Sequence, residues 1–338
     1  MTTKTHSFFT LTPDKILDSV ESLGVKSTGR CLQLNSMENR VYEVELDLNS
    51  EEEAALSSRY ERYQIIKFYR PGRWSQEQIQ EEHDFLWELK EADIPVVAPL
   101  KNSSGQSLFH IKEDDLWFTV FPKVGGRINY ECSDSQLKLL GRALARLHAV
   151  GARKPAKSRI VLNHESYGIH NIEFLSKNQF LPLDLASRYR KAAESICELS
   201  GKMFETIDNQ RIHGDCHLGN ILWGSEGPLW VDFDDMVMGP PVQDVWLMVA
   251  SQDDEGKRQR EVFLKAYEEM GLFDRSSIKL IEPLRALRYI HYCAWIARRW
   301  DDPYFKKSFP QFNTWNYWMG QTNDLEHQLD LIKSENRT

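Results

Sequence analysis

A chain of 338 residues, 41% hydrophobic and 27% charged, is long enough for about two domains and a large buried core, and its composition is that of an ordinary globular protein. Its formal net charge of −8 argues against a general nucleic-acid binder, which would carry a basic stripe. Five scattered cysteines without a CxxC pair argue against zinc or a disulfide framework and fit a reducing compartment. No apolar run approaches the roughly 18 residues of a membrane span, and MTTKTHSFFT lacks a signal pattern, so a cytoplasmic protein without a membrane partner is expected.

In chain order, Thr12-Pro13 opens a helix that Gly24 ends, with proline at the first helical position and glycine past the last. Residues 30–34 and 41–46 are β-rich runs around the loop 35–40, which reads as a hairpin. Residues 47–62, with three consecutive glutamates, read as a solvated connection. Residues 63–69 form a strand in which Lys67 shares a face with Ile65 and Tyr69. Ser75 and Gln78 make a capping box for a helix with Ile79, Phe85, Leu86 and Leu89 on its apolar stripe. Glu82 falls on that stripe, whereas Glu81, about 100° away, faces solvent more. A carboxylate on a buried face needs a cation.

Residues 94–96 turn into the next strands, and 116–121 form a central strand, apolar on both faces, that stops at Pro122. Gly125-Gly126 then suits a flexible connector, so a lobe boundary is expected at 122–126, with 121–126 lining an adenine slot. The remainder reads helical. Ser133 and Gln136 cap a helix with the stripe Leu137, Leu140, Leu144 and Leu147, ended by a packed or capping His148, and residues 184–205 supply another helix.

Residues 211–238, RIHGDCHLGNILWGSEGPLWVDFDDMVM, carry the chemistry. Two short apolar runs flank the turn Gly224-Ser225-Glu226-Gly227-Pro228, the pattern of a hairpin. Asp215 and Asn220 precede its first strand and Asp232 ends its second. Converging hard oxygens suit Mg²⁺, which takes few protein ligands and completes its shell with water and phosphate. With Asn220 and Asp232 as metal ligands, Asp215 is left to orient a nucleophile, the division of labour in phosphoryl transfer. Cys216 is a poor candidate nucleophile, because an adjacent aspartate does not activate a thiolate. Beyond this stretch come Gly239-Pro240-Pro241, a helix holding Asp244 near its N-terminus, helices over 257–270 and 276–300, and an aromatic tail over 289–318 that is mostly core.

The pattern HGDxHxxN followed twelve residues later by Asp-Phe-Asp resembles the catalytic and metal-binding segment of the aminoglycoside phosphotransferase and choline kinase superfamily, relatives of protein kinases. Across most of the chain the closer likeness is to a bacterial Ser/Thr protein kinase of stress response with this fold. The resemblance implies an α+β, bilobal protein-kinase-like fold. Residues 1–121 would be a small antiparallel β-rich lobe with one helix, 122–126 a hinge, and 127–338 a larger helical lobe holding the catalytic hairpin and substrate cleft. Lys67–Glu82 resembles the strand-lysine and helix-glutamate pair that positions ATP phosphates. Loop 35–40 lacks the glycines of the kinase phosphate loop, which leaves Ser36 as the expected phosphate contact. Asp215 and Asp232 are the implied catalytic carboxylates, Asp244 braces the catalytic loop, and His213 packs against it or bonds its backbone. Asp234 and Asp235 add charge near the metal.

The function expected is ATP- and Mg²⁺-dependent transfer to a hydroxyl by a monomeric, autophosphorylating protein kinase. The alternative is a small-molecule kinase for an amino alcohol or amino sugar, whose cation pocket would draw on Asp234, Asp235 or Asp301-Asp302 with the aromatic tail. A non-catalytic binding module is the third class.

Overall fold

The computed structural model describes residue 8 and residues 11–335; the start of the expected N-terminal cap lies outside them. The first half contains α1 (Pro13–Glu21), β1 (Ser27–Gln33), β2 (Arg40–Leu46), α2 (Ser50–Ala54), β3 (Tyr63–Phe68), α3 (Gln76–Glu91), β4 (Phe109–Ile111), β5 (Leu116–Pro122) and β6 (Arg127–Ile128). Then come α4 (Asp134–Gly151), α5 (His170–Lys177), α6 (Leu183–Phe204), β7 (Gln210–Ile212), β8 (Ile221–Gly224), β9 (Gly227–Trp230) and β10 (Val237–Gly239). The chain closes with α7 (Val242–Met248), α8 (Asp254–Glu268), α9 (Ile281–Arg298), α10 (Pro303–Ser308) and α11 (Trp315–Glu335).

Two compact units result. The first comprises the described part of Met1–Ser133 with His217–Asp235, and the second Asp134–Cys216 with the described part of Met236–Thr338. The hairpin β8–β9, expected in the helical part, thus groups with the β-rich unit. Strand β8 pairs with β6 through Arg127↔Trp223 and Ile128↔Leu222.

In the first unit an antiparallel sheet runs β1-β2-β3-β5-β4. Val44, Ile66, Phe68, Leu116 and Val120 alternate onto one face and bury against Ile16 and Val20 of α1. Thr12 accepts the Lys15 N–H at the start of α1, and the Ser75–Gln78 box closes at α3. Two expectations change. The acidic connection contains α2, where Asn49 and Glu52 form a reciprocal capping box; three glutamates in its first turn favour the positive end of the helix dipole. The Gly125-Gly126 connector serves close packing: a Cβ at Gly125 would overlap the Tyr60 ring, and one at Gly126 would sit 2.8 Å from the Leu222 Cβ.

In the second unit α4 packs on α8 so closely that a Cβ at Gly141 would strike the Phe263 carbonyl. Leu140, Leu144 and Leu147 of α4 and Phe263 and Leu264 of α8 are all buried. A short ladder joins β10 to β7 through Val237↔Ile212; three-residue strands are too short for alternation to reveal. The helix expected over 276–300 divides into a 3₁₀ turn (Arg275–Leu280) and α9. Of the aromatic tail, Phe305, Phe312 and Trp318 are buried while Tyr292 and Trp315 are exposed.

Candidate active site

In the first unit the chemistry gathers around Lys67. Its ammonium, buried on β3, lies 2.9 Å from Asp234 Oδ1, 3.5 Å from Glu82 Oε1 and 3.9 Å from Asp232 Oδ1. Burial alone would push it toward neutrality, but Asp234 and then Glu82 outweigh burial and hold it well above its ordinary range. The pairing expected with Glu82 is therefore shared, and Asp234 is the nearer partner. Arg73, in the turn between β3 and α3, bonds Asp234 and Asp235 and lies 3.6 Å from Glu38.

Asp232 behaves differently. It follows β9 with φ 62°, left-handed backbone that costs an L-residue roughly 1–2 kcal/mol. Phe233 is buried edge-on to Phe85, ring centroids 6.0 Å apart, and the Val231 N–H donates to the Asn220 carbonyl at 3.1 Å. These anchors turn the Asp232 side chain outward, 60% exposed, while Asp234 two residues on is buried. Asn220 ends a 3₁₀ turn immediately before β8 and is half-buried.

Loop 35–40 is held without glycine. Ser36 Oγ accepts the Asn39 N–H at 3.3 Å, and buried Asn39 accepts the Arg70 N–H at 3.0 Å. Arg70 in turn donates to the Glu38 carbonyl at 2.9 Å and pairs with the Glu38 carboxylate at 3.0 Å.

In the second unit Asp215 sits on the loop after β7. Asp244, fully buried in the first turn of α7, accepts the His213 N–H and the Gly214 N–H, both at 2.9 Å. Gly214 has φ +83°, which glycine adopts freely, and Gln243 donates to its carbonyl at 3.0 Å. His148 bonds Asp244 at 3.0 Å through Nε2 and the Tyr267 hydroxyl at 3.0 Å through Nδ1. Burial, and then the Asp244 charge, raise the Tyr267 phenol well above its usual range. Asp215 itself is 24% exposed and accepts from Arg288 of α9 at 2.8 Å.

The expected residues thus fall into two sets: Ser36, Lys67, Glu82, Asn220 and Asp232 in the first unit, His213, Asp215 and Asp244 in the second. Arg70, Arg73, Asn39 and Arg288 were not anticipated, nor was the nearness of Asp234 to Lys67. Charge balance is the signal that could have found the arginines, since Glu38, Asp232, Asp234 and Asp235 are more acid than one lysine can offset.

A buried lysine among carboxylates in a β-rich unit, with an aspartate-bearing loop braced by a helical one, defines a kinase-type phosphotransferase. The sequence matches the phosphotransferase enzyme family over residues 34–281, and the chain belongs to that family. It is 37% identical to stress response kinase A of Escherichia coli K12 over 334 residues, covering 98% of this chain and 97% of that one. It is 36% identical over 333 residues, with the same coverage, to serine/threonine protein kinase RdoA of Salmonella typhimurium LT2. Among solved structures, amicoumacin kinase hAmiN in complex with AMP-PNP, Ca²⁺ and Ami has TM-score 0.69 and 18% identity over 89% of this chain and 91% of that chain. The fold is α+β and protein-kinase-like, and the chain is a kinase. Among the described residues no helix is long and apolar enough to cross a membrane.

Proposed function

We propose that this kinase uses ATP with Mg²⁺ to phosphorylate serine or threonine hydroxyls of proteins, itself included, in a stress response. The observation that carries the nucleotide assignment is the charge cluster of the first unit. Five carboxylates (Glu38, Glu82, Asp232, Asp234 and Asp235) stand against three cations, Lys67, Arg70 and Arg73. Among these eight groups the surplus is two negative charges, and Asp232 is the most exposed of the carboxylates. A hard divalent cation fits that donor set, with Asn220 and Asp232 holding it and phosphate and water completing its shell. When bound, the ion would neutralise developing charge on the transferring phosphoryl group.

The chain's own residues divide the remaining work. Lys67 offsets phosphate charge, and Glu82 and Asp234 fix its position. Ser36 and the amides of its loop bind the phosphates, and residues 121–126 line the adenine site. Asp215 orients the acceptor hydroxyl and takes its proton; Asp244 and His213 set the loop that carries it. We place this activity in a reducing cytoplasm, in keeping with five cysteines of which none forms a disulfide.

The protein acceptor is favoured by the two relatives named as kinases of stress response and of serine/threonine in proteins. Three of the four carboxylates considered for a cationic small acceptor are engaged otherwise. Asp234 and Asp235 bond Arg73, and Asp302, 1% exposed, caps α10 through the Tyr304 N–H. Incubation of the purified chain with labelled ATP and either generic protein substrates or a panel of amino alcohols and amino sugars tests the assignment. Label should enter protein, including the enzyme; label confined to small molecules would reverse it.

A further inference from the structure

Building on the protein-kinase reading, we propose that Arg288 is an acceptor-recognition residue. The face of α9 that it begins would take a serine- or threonine-bearing polypeptide segment with acidic side chains. Arg288 donates to Asp215 Oδ1 at 2.8 Å while its own side chain remains 37% exposed, so it borders the place where an acceptor hydroxyl must approach the carboxylate. Arg288, His291, Tyr292, Trp295 and Arg299 recur at helical spacing and share one stripe. Tyr292 is 44% exposed and stacks on Trp295, centroids 5.6 Å apart at 14°. The Arg299 guanidinium lies 5.0 Å over the Trp295 ring. The single acid of α9, Glu282, is buried and paired with Arg285 at 3.2 Å.

The strip therefore carries a guanidinium at each end, that of Arg288 paired with Asp215, and aromatic rings between, Trp295 packing on Phe305 and Phe309. A carboxylate there meets planar donors that match its geometry. From Arg288 to Arg299 the helix rises about 16 Å, which about five residues of extended peptide span. That length favours a polypeptide over a small hydroxy acid, with one acidic side chain next to the acceptor and another about five residues away.

The test uses the full chain and serine peptides identical except for glutamate or lysine beside the acceptor, with a third peptide carrying a distal glutamate. The glutamate peptide should exceed the lysine peptide in kcat/KM by about tenfold, the discrimination expected of one charge-assisted hydrogen bond. Arg288→Glu should remove or invert that ratio and Arg288→Lys should keep part of it. Because the ratio is taken within one enzyme, a general loss of rate cancels. Arg299→Glu should erase only the advantage of the distal glutamate. A ratio near one in the parent chain, a ratio unmoved by Arg288→Glu, or phosphorylation of a hydroxy acid in place of acidic peptides overturns the proposal. Flat ratios on peptides that do take label leave the protein-kinase reading standing. Absence of label in every peptide and protein removes that reading and this inference together.

Discussion

The two units hold the carboxylates proposed to be functional in place by opposite means. In the first, charge is held by charge: Lys67 and Arg73 are buried because Asp234, Glu82 and Asp235 surround them, an arrangement whose members are costly to separate. In the second, the loop bearing Asp215 is held mainly by backbone amides, with the buried Asp244 carboxylate accepting two of them and hydrogen bonds through His148 to Tyr267 behind it. The difference separates what each substitution should disturb. Damage in the first unit should register in nucleotide handling, and damage in the second in acceptor chemistry or in stability.

The largest effect should come from Asp215→Ala. Removing a general base costs roughly 10²- to 10⁴-fold in rate, while the residues proposed to bind nucleotide, in the other unit, are untouched. Turnover should collapse with nucleotide affinity within about twofold of the parent by titration calorimetry; retained turnover would remove Asp215 from the chemistry. Asp244→Ala should act on the fold first. It leaves two buried N–H groups and His148 without their acceptor, a loss of about 3–5 kcal/mol, read as a lower midpoint in urea unfolding. An unchanged midpoint would mean that the loop is held by something else. Asp232→Ala, at an exposed position, should leave that midpoint nearly unchanged but weaken Mg²⁺-nucleotide binding by roughly tenfold or more. Unchanged affinity in a magnesium titration would take Asp232 out of the metal site.

The same contrast explains what could be read beforehand. The hairpin β8–β9, the strand of Lys67 and the capped helix of Glu82 announce themselves because each carries a local rule: turn chemistry, alternation, a capping box with an acid on the apolar stripe. The carboxylate of Asp244 at a helix start is legible for the same reason. Arg73 is not, since Arg70-Pro71-Gly72-Arg73 reads as an ordinary turn. Its burial follows only once Asp234 and Asp235 are brought to it across more than 160 positions of sequence. Asp234 is likewise hidden, because three aspartates within four residues look alike until the left-handed Asp232 turns one outward and Phe233 draws the next inward. Arg288 sits on a helix where an arginine most often faces water, and nothing local ties it to Asp215. Tertiary charge pairing, then, is where reading from spacing stops.

The smallest expected effect probes the packing behind these networks through thiols. Cys31 and Cys132 of the first unit are partly exposed, whereas Cys197, Cys216 and Cys293 of the second are buried, and burial pushes the Cys197 and Cys293 thiols up to about 12. Only the thiolate reacts with an alkylating reagent. At pH 8, iodoacetamide should therefore label Cys31 and Cys132 first and reach Cys197 and Cys293 only after unfolding, as peptide mass spectrometry would read. The same shifts fix a sign. Above the ordinary thiol range the unfolded chain releases these protons and the folded chain keeps them, so the unfolded state binds fewer protons and stability falls as pH rises. The loss begins near pH 9 and ends near 12, the folded value, at about 1.4 kcal/mol per pH unit for each thiol. Cys197→Ala removes one such contribution. Its urea midpoint should fall less steeply between pH 8 and 11 than the parent's, whatever the cavity costs at neutral pH. Parallel slopes would mean that the Cys197 thiol ionises as readily in the folded chain as in the unfolded one.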